Sequence, residues 1–485
     1  MQYSDDAIAE VFTIPRSKLT AAHKIKKSAT SNFNCADGGL KMKVSVPKFA
    51  AGLLLGAAIL LAGGWVQRAD AADLGGNCCA DLEERIAELE ATTARKGNRN
   101  VSLTVSGWVS EEVAFWDDGT ERNAYVGTNP VEQSRVRFVG EARIDKDWSA
   151  GYVLEIGVFG ANGGKWDQNN PDGTSPNSLL VRKSSWFLMD KQLGRVIVGQ
   201  DGMSTYHLLD DADTTMTRNF HDAEGAPDYQ AGFFIRSGGS FVPAPGGGNL
   251  KWSDVMRGFN NSTPGDSGRR NIVRYDSPTI AGFTYTASWG EDDIWDTALL
   301  YKGGFGDFNV NARAGYGHST DEKSTACHTG PAGFRADCEW WGVSGFVQHK
   351  PTGLYVFSGY GEQIDNTRAA NAGADAGLVD KTDNVWYVQW GIEHKWLALG
   401  KTNFFAEYRH DSPGSNVTGG TLRTQSGDIN FWTGGIAQYL DNAETMLYLT
   451  YQHADGNVGL LDGGDVVDTK LDTLQQVIGG VKVNF

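Results

Sequence analysis

From residue 99 onward the chain is written in steps of two. Val101, Leu103 and Val105 alternate with Ser102 and Thr104, and Val136, Phe138 and Ala142 alternate with Arg135, Arg137, Glu141 and Arg143. Tyr152, Leu154, Ile156 and Val158 are interleaved with Val153 and Glu155, Phe283 to Trp289 with Thr284, Thr286 and Ser288, and Val310 to Tyr316 with Asn309, Asn311 and Arg313. Successive side chains of a strand point to opposite faces, so each run predicts a strand with one apolar and one polar face. The closing residues repeat the pattern. Val477, Gly479, Val481, Val483 and Phe485 share one face; Ile478, Gly480, Lys482 and Asn484 share the other. Alternation alone fits an edge of a soluble sandwich as well as it fits a membrane barrel.

Connection lengths separate the two. Short turns fall near 145–148, 190–194, 277–281, 304–307, 350–353, 397–400 and 441–443. Between them lie longer segments near 117–130, 161–178, 201–268, 318–337, 363–383, 412–428 and 454–470, plus a brief link at 291–294. Seven turns alternating with eight loops predict sixteen strands. Short connections on one rim and long ones on the other mark an outer-membrane barrel. Aromatics near the short turns (Trp148, Phe305, Trp396, Tyr439) fit an interfacial girdle. Sixteen strands leave a water-filled lumen where eight would be filled by side chains. The polar faces carry Arg, Glu, Asn, Ser and Thr, which a wet channel tolerates and a packed core does not. An Arg on the lipid face would cost about 2–4 kcal/mol at the midplane, and alternation sets Arg135, Arg137 and Arg143 opposite their apolar neighbours.

Upstream of residue 99 the pattern changes. The run Phe49 to Trp65 is apolar, follows Lys43 and Lys48, and precedes Ala69-Asp70-Ala71. Basic start, apolar centre and small-x-small site are the parts of a secretory signal peptide; a transmembrane anchor is the alternative, at the short end for spanning. The expected division is 1–41 as an over-extended start, 42–71 as signal peptide, 72–98 as a periplasmic linker and helix, and 99–485 as the barrel. In the helix, Leu82, Ile86, Leu89 and Thr93 fall at steps of four and three, a coiled-coil seam. Two heptads do not hold a coiled coil alone, so the seam reads either as a register for an existing oligomer or as one amphipathic helix on its own domain.

Charge and cysteine narrow the chemistry. Removing residues 1–71 takes away nine Lys/Arg and five Asp/Glu and moves the net charge from −16 to −20. A surface that acidic excludes nucleic-acid binding as the main function. Cys327 and Cys338 flank a ten-residue interior, and export favours a loop disulfide between them. Adjacent Cys78 and Cys79 do not bond each other easily and pair between chains or stay free. No metal site and no cofactor is expected.

The stretch Cys78–Gly97, the segments 101–109 and 132–158, and the terminal Val481-Lys-Val-Asn-Phe485 resemble the general porins of alphaproteobacteria, of the rhizobial and brucella type. The resemblance implies an all-β fold, a transmembrane antiparallel 16-stranded barrel in the outer membrane of a Gram-negative cell. It also implies a homotrimer, a third loop folded inward to narrow the pore, and a short periplasmic helix. The terminal strand resembles the signal that barrel assembly machinery reads, with Phe485 at the point of closure.

The longest loop, 201–268, follows the fifth strand, where the inward loop belongs. Its first part carries Asp201, Asp210, Asp211, Asp213, Asp222, Glu224 and Asp228 against one base, Arg218. The wall offers Arg135, Arg137, Arg143 and, by alternation, Arg270 and Arg274. Acids facing arginines would set a field across a constriction; the bland alternative is a solvated surface loop. With an acidic chain and an acidic loop, a weak preference for cations is expected. His207 and His221 among these acids do not make a hydrolase or metal site from spacing alone, and no catalysis is expected. The function these features point to is passive passage of small hydrophilic solutes and ions through a general diffusion porin embedded in outer-membrane lipid. The alternatives are a solute-specific channel and a structural surface protein tethered through its amino-terminal helix.

Overall fold

A computed structural model describes residues 101–485 apart from 174–177, 222–225, 257–262, 292, 321–336 and 463. The expected signal peptide, the seam of Leu82, Ile86, Leu89 and Thr93, and Cys78, Cys79, Cys327, Asp222 and Glu224 lie outside the described residues. Sixteen strands form one closed antiparallel barrel. They are β1 (Ser102–Asp117), β2 (Arg135–Arg143), β3 (Trp148–Phe159), β4 (Ser178–Asp190), β5 (Gly194–Gly202), β6 (Arg269–Asp276), β7 (Phe283–Gly290) and β8 (Ile294–Phe305). The second half comprises β9 (Phe308–Ser319), β10 (Cys338–His349), β11 (Leu354–Asp365), β12 (Thr382–Leu397), β13 (Gly400–Ser412), β14 (Ser426–Leu440), β15 (Thr445–Asp462) and β16 (Leu474–Asn484). Each pairs with its sequence neighbours, and β16 closes onto β1 from Trp108↔Asn484 to Asp117↔Gln475. Gly107 and Phe485 exchange both backbone hydrogen bonds at 3.0 Å, so the final residue completes the ladder. No helix among the described residues is long and apolar enough to cross a membrane; the strands cross it.

The alternating sequence explains which face is which. On β16, Val477, Val481, Val483 and Phe485 are exposed while Ile478 and Lys482 are buried. Cross-strand partners share a face, so outward aromatics line up along neighbouring strands. Trp386, Tyr408 and Trp432 make one such row, with centroids 5.2 and 4.5 Å apart. Phe305 and Trp396 stand exposed at the short-turn rim, as the girdle requires. Turn chemistry fixes that rim. Asp145 accepts from the Asp147 and Trp148 N–H groups at 2.8 and 2.9 Å, an Asx turn between β2 and β3. Gly306 takes φ +56 in the two-residue link between Phe305 and Phe308.

The 203–268 loop folds into the lumen and travels along the inner wall. Asn311 of β9 donates to Ala212 O at 2.9 Å, the Ser344 hydroxyl of β10 to Leu208 O at 2.6 Å, and the Tyr387 hydroxyl of β12 to Leu209 O. Further on, His221 meets Glu407 of β13 at 3.0 Å, Phe220 stacks on Tyr448 of β15 at 4.7 Å, and Gln230 donates to Gln476 of β16 at 2.8 Å. Buried Phe220, Tyr229, Phe233, Leu250 and Trp252 of the loop share one apolar cluster with Phe346, Phe357, Phe405 and Ile478 of the wall. That half of the lumen is a packed core, which leaves the open passage on the β2–β9 side. Close approach demands bare backbone on the wall: a Cβ at Gly361 would stand 1.8 Å from Pro264 O.

Candidate functional site

The open side of the lumen is a cavity of about 700 Å³ running from the loop toward the short-turn rim. Alternation delivers its wall. Arg135 and Arg137 project inward from β2 and Glu155 from β3; opposite residues of an antiparallel pair share a face, and the register pairs Arg137 with Glu155. Three guanidiniums converge on this one carboxylate: Arg137 at 2.8 Å, Arg182 at 2.8 Å and Arg135 at 3.4 Å. Arg182 arrives by an irregularity. Glu155 pairs with Lys183 and Ile156 with Val181, so Arg182 is the extra residue of a bulge and turns inward beside Lys183. Lower down, Arg195 of β5 and Arg274 of β6 both bind Asp276, at 2.8 and 3.0 Å.

The loop supplies the facing side. Arg218 binds Asp210 and Asp211 at 2.9 Å each and reaches Glu132 at 3.3 Å. Asp211 also binds Arg313 of β9 at 3.1 Å, and Asp210 lies 2.7 Å from His207. Glu132, in the loop after β1, is held at a pKa of about 2: burial pushes the carboxyl up, but Arg135, Lys482, Arg218 and Arg182 outweigh it. Glu132 is therefore an anchored anion that ties the loop to the arginine wall.

Several expected constriction residues are placed elsewhere. Asp213 is buried against the wall, accepting from Thr215 N and the Thr217 hydroxyl at 2.8 and 2.6 Å. Burial raises its pKa, Glu393 raises it further, and those hydrogen bonds oppose the shift. Arg143 is exposed at the short-turn rim, donating to Asp145 O at 2.9 Å, because the chain turns immediately after it. Arg270 pairs with Glu291 at 2.9 Å on the long-loop side of β6, and neither residue lines the cavity. Asp228 lines a separate pocket near the mouth, beside Asn162 and Lys251. Asp201 sits on β5 bound to Lys183 at 2.7 Å. Among the expected residues, Arg135, Arg137, Arg274 and Asp211 line the cavity together.

Unexpected members are Arg182, Lys183, Arg195, Arg218, Arg313, Glu132 and Glu155. Arg313 and Glu155 stood on polar faces of the alternation; Arg182 was hidden by its bulge. Of the described cavity-lining residues, nine are Lys or Arg and five are Asp or Glu. Among the described residues of the acidic loop, Asp210 and Asp211 are matched by Arg218 and Arg313, and Asp213 faces away. The expected cation preference does not follow from this lining. Among the described residues, no group of three His, Cys, Asp or Glu is placed to hold a metal ion.

A closed sixteen-stranded barrel with an apolar outer face, a loop folded into its lumen and a charged passage beside that loop defines a membrane channel of the porin class. Residues 86–459 match the family model of the Gram-negative porin, and the chain belongs to that family, which places it in the outer membrane. No curated protein matches the chain in sequence. Among solved structures it is similar to the anion-selective porin from Comamonas acidovorans, with 15% identity, TM-score 0.49, and 79% of this chain and 100% of that one covered. It is also similar to OmpT, an outer membrane protein of Vibrio cholerae (12%, 0.47, 80% and 99%), and to OmpF of Salmonella typhi in complex with daunomycin (14%, 0.45, 80% and 98%).

Proposed function

We propose that this protein is a general diffusion porin that passes small hydrophilic solutes and ions down their gradients and weakly favours anions. The observation that carries the preference is the cavity lining, with nine basic residues against five acidic ones. Arg137 and Arg195 keep 40% and 39% of their side-chain surface open, so their charge reaches the passage. Passage needs no chemical step, and the reading is non-catalytic. At physiological ionic strength the screening length is about 8 Å, so fixed charges act chiefly where the pore is narrow. The sequence resemblance carried by residues 78–97, 101–109 and 132–158 supports the alphaproteobacterial branch of the family, a homotrimer, and delivery by barrel assembly machinery that reads the strand ending at Phe485.

Reversal potentials across a salt gradient test the preference. The wild-type channel should show a modest bias toward chloride, and Arg137→Gln with Arg195→Gln should reduce or erase it. A wild-type bias toward potassium would refute the assignment. A saturable anion channel is the second reading, favoured by the three guanidiniums gathered on Glu155. It predicts a current that reaches a plateau as inorganic phosphate is raised, where simple diffusion stays linear.

A further inference from the structure

Both feet of the inward loop rest on one carboxylate. The loop leaves the wall at Met203 and returns at Gly268, where Met203 N donates to Gly268 O at 3.2 Å. Asp296 of β8 projects inward at this junction and is 1% exposed. Its Oδ1 accepts from the Ser204 N–H at 3.0 Å and from the Ser288 hydroxyl. Its Oδ2 accepts from the Thr205 N–H at 2.7 Å, the Thr205 hydroxyl at 2.6 Å and the Ser267 hydroxyl at 3.1 Å. Ser204 and Thr205 belong to the outgoing foot and Ser267 to the returning one.

The surrounding contacts hold the same junction. The Ser204 and Thr286 hydroxyls are 2.9 Å apart, and the indole N–H of Trp340 donates to the Thr205 hydroxyl at 3.0 Å. Bonds to an ionised acceptor are stronger than neutral ones, and breaking them strands a buried charge. The outgoing foot continues directly into Tyr206, His207 and Asp211, which line the cavity. A shift of the foot therefore moves the passage.

We propose that Asp296 is the positioning residue of the constriction: its carboxylate clamps both feet of the loop to β7 and β8 and so holds the passage at a fixed aperture. The inference rests on reading the loop as the constriction. Losing one charge-assisted bond shifts the docked-to-released ratio by on the order of tenfold. In planar bilayers, full-length Asp296→Asn should show raised open-channel current noise and new sublevels. The Thr205→Val/Ser267→Ala variant, which keeps the carboxylate and removes two donors, should do the same. Adding Ser204→Cys with Thr286→Cys to Asp296→Asn should make the noise redox-controlled, quiet when oxidised and raised when reduced.

A merely structural Asp296 would lower yield or melting temperature without that reversible change in current. Should Asp296→Asn fail to fold, the Thr205→Val/Ser267→Ala variant, alone and with the Ser204→Cys/Thr286→Cys pair, carries the test. The clamp is overturned if folded Asp296→Asn or Thr205→Val/Ser267→Ala conducts with wild-type noise, or if oxidising the cysteine pair leaves raised noise unchanged. A wild-type protein that forms no channel would instead overturn the reading of the loop.

Discussion

At the scale of single residues, the passage is set by which charges are matched and which are left over. Among the described loop acids, Asp211 both lines the cavity and keeps 39% of its side-chain surface open. Asp213, two positions on, is buried against Thr215 and Thr217. Asp211→Asn should therefore move the reversal potential further toward anions, while Asp213→Asn leaves it unchanged and instead weakens the loop's hold on the wall. Equal shifts from both would show that the loop is seated differently. Sequence alone treats these two acids alike, because an irregular loop has no period from which to read a facing direction. The strand arginines are different. Arg135 and Arg137 were legible from alternation, whereas Arg182 was not, since one extra residue at a bulge reverses parity.

At the scale of elements, the strands and their order were legible and the interior of the loop was not. All seven short turns fall where composition and spacing put them, because a tight turn needs local residues such as Asp145 or Gly306. The loop's path depends on contacts hundreds of residues away, such as Gln230 with Gln476 and Phe220 with Tyr448. Sequence order carries no trace of them. The link between β9 and β10 offers an element-scale test. Cys338 is disulfide-bonded and fully buried beside Met203, Ile294 and Trp340; the expected partner, Cys327, lies outside the described residues. Intact-mass and peptide mapping without reductant should find Cys327 joined to Cys338, a closure worth about 3 kcal/mol for a loop of this size in the entropy model. Free thiols at both positions would refute the pairing. Reduction should loosen this loop and spare the barrel, because β9 and β10 stay paired from Phe308↔His349 to Ser319↔Cys338.

At the scale of the whole molecule, the barrel is closed, its outer face is apolar, and half its lumen is occupied by a loop that shares one apolar core with the wall. A channel of this build conducts, but through much less than its full cross-section. Its net charge misleads about its passage, since an acidic chain carries a basic lining. The most direct test is single-channel recording of the purified protein in a planar bilayer. The account predicts discrete, ohmic current steps, and larger steps once the loop residues 206–262 are replaced by a short linker that leaves both feet on Asp296. Absence of steps from folded protein, or an unchanged conductance after the loop is removed, would contradict it.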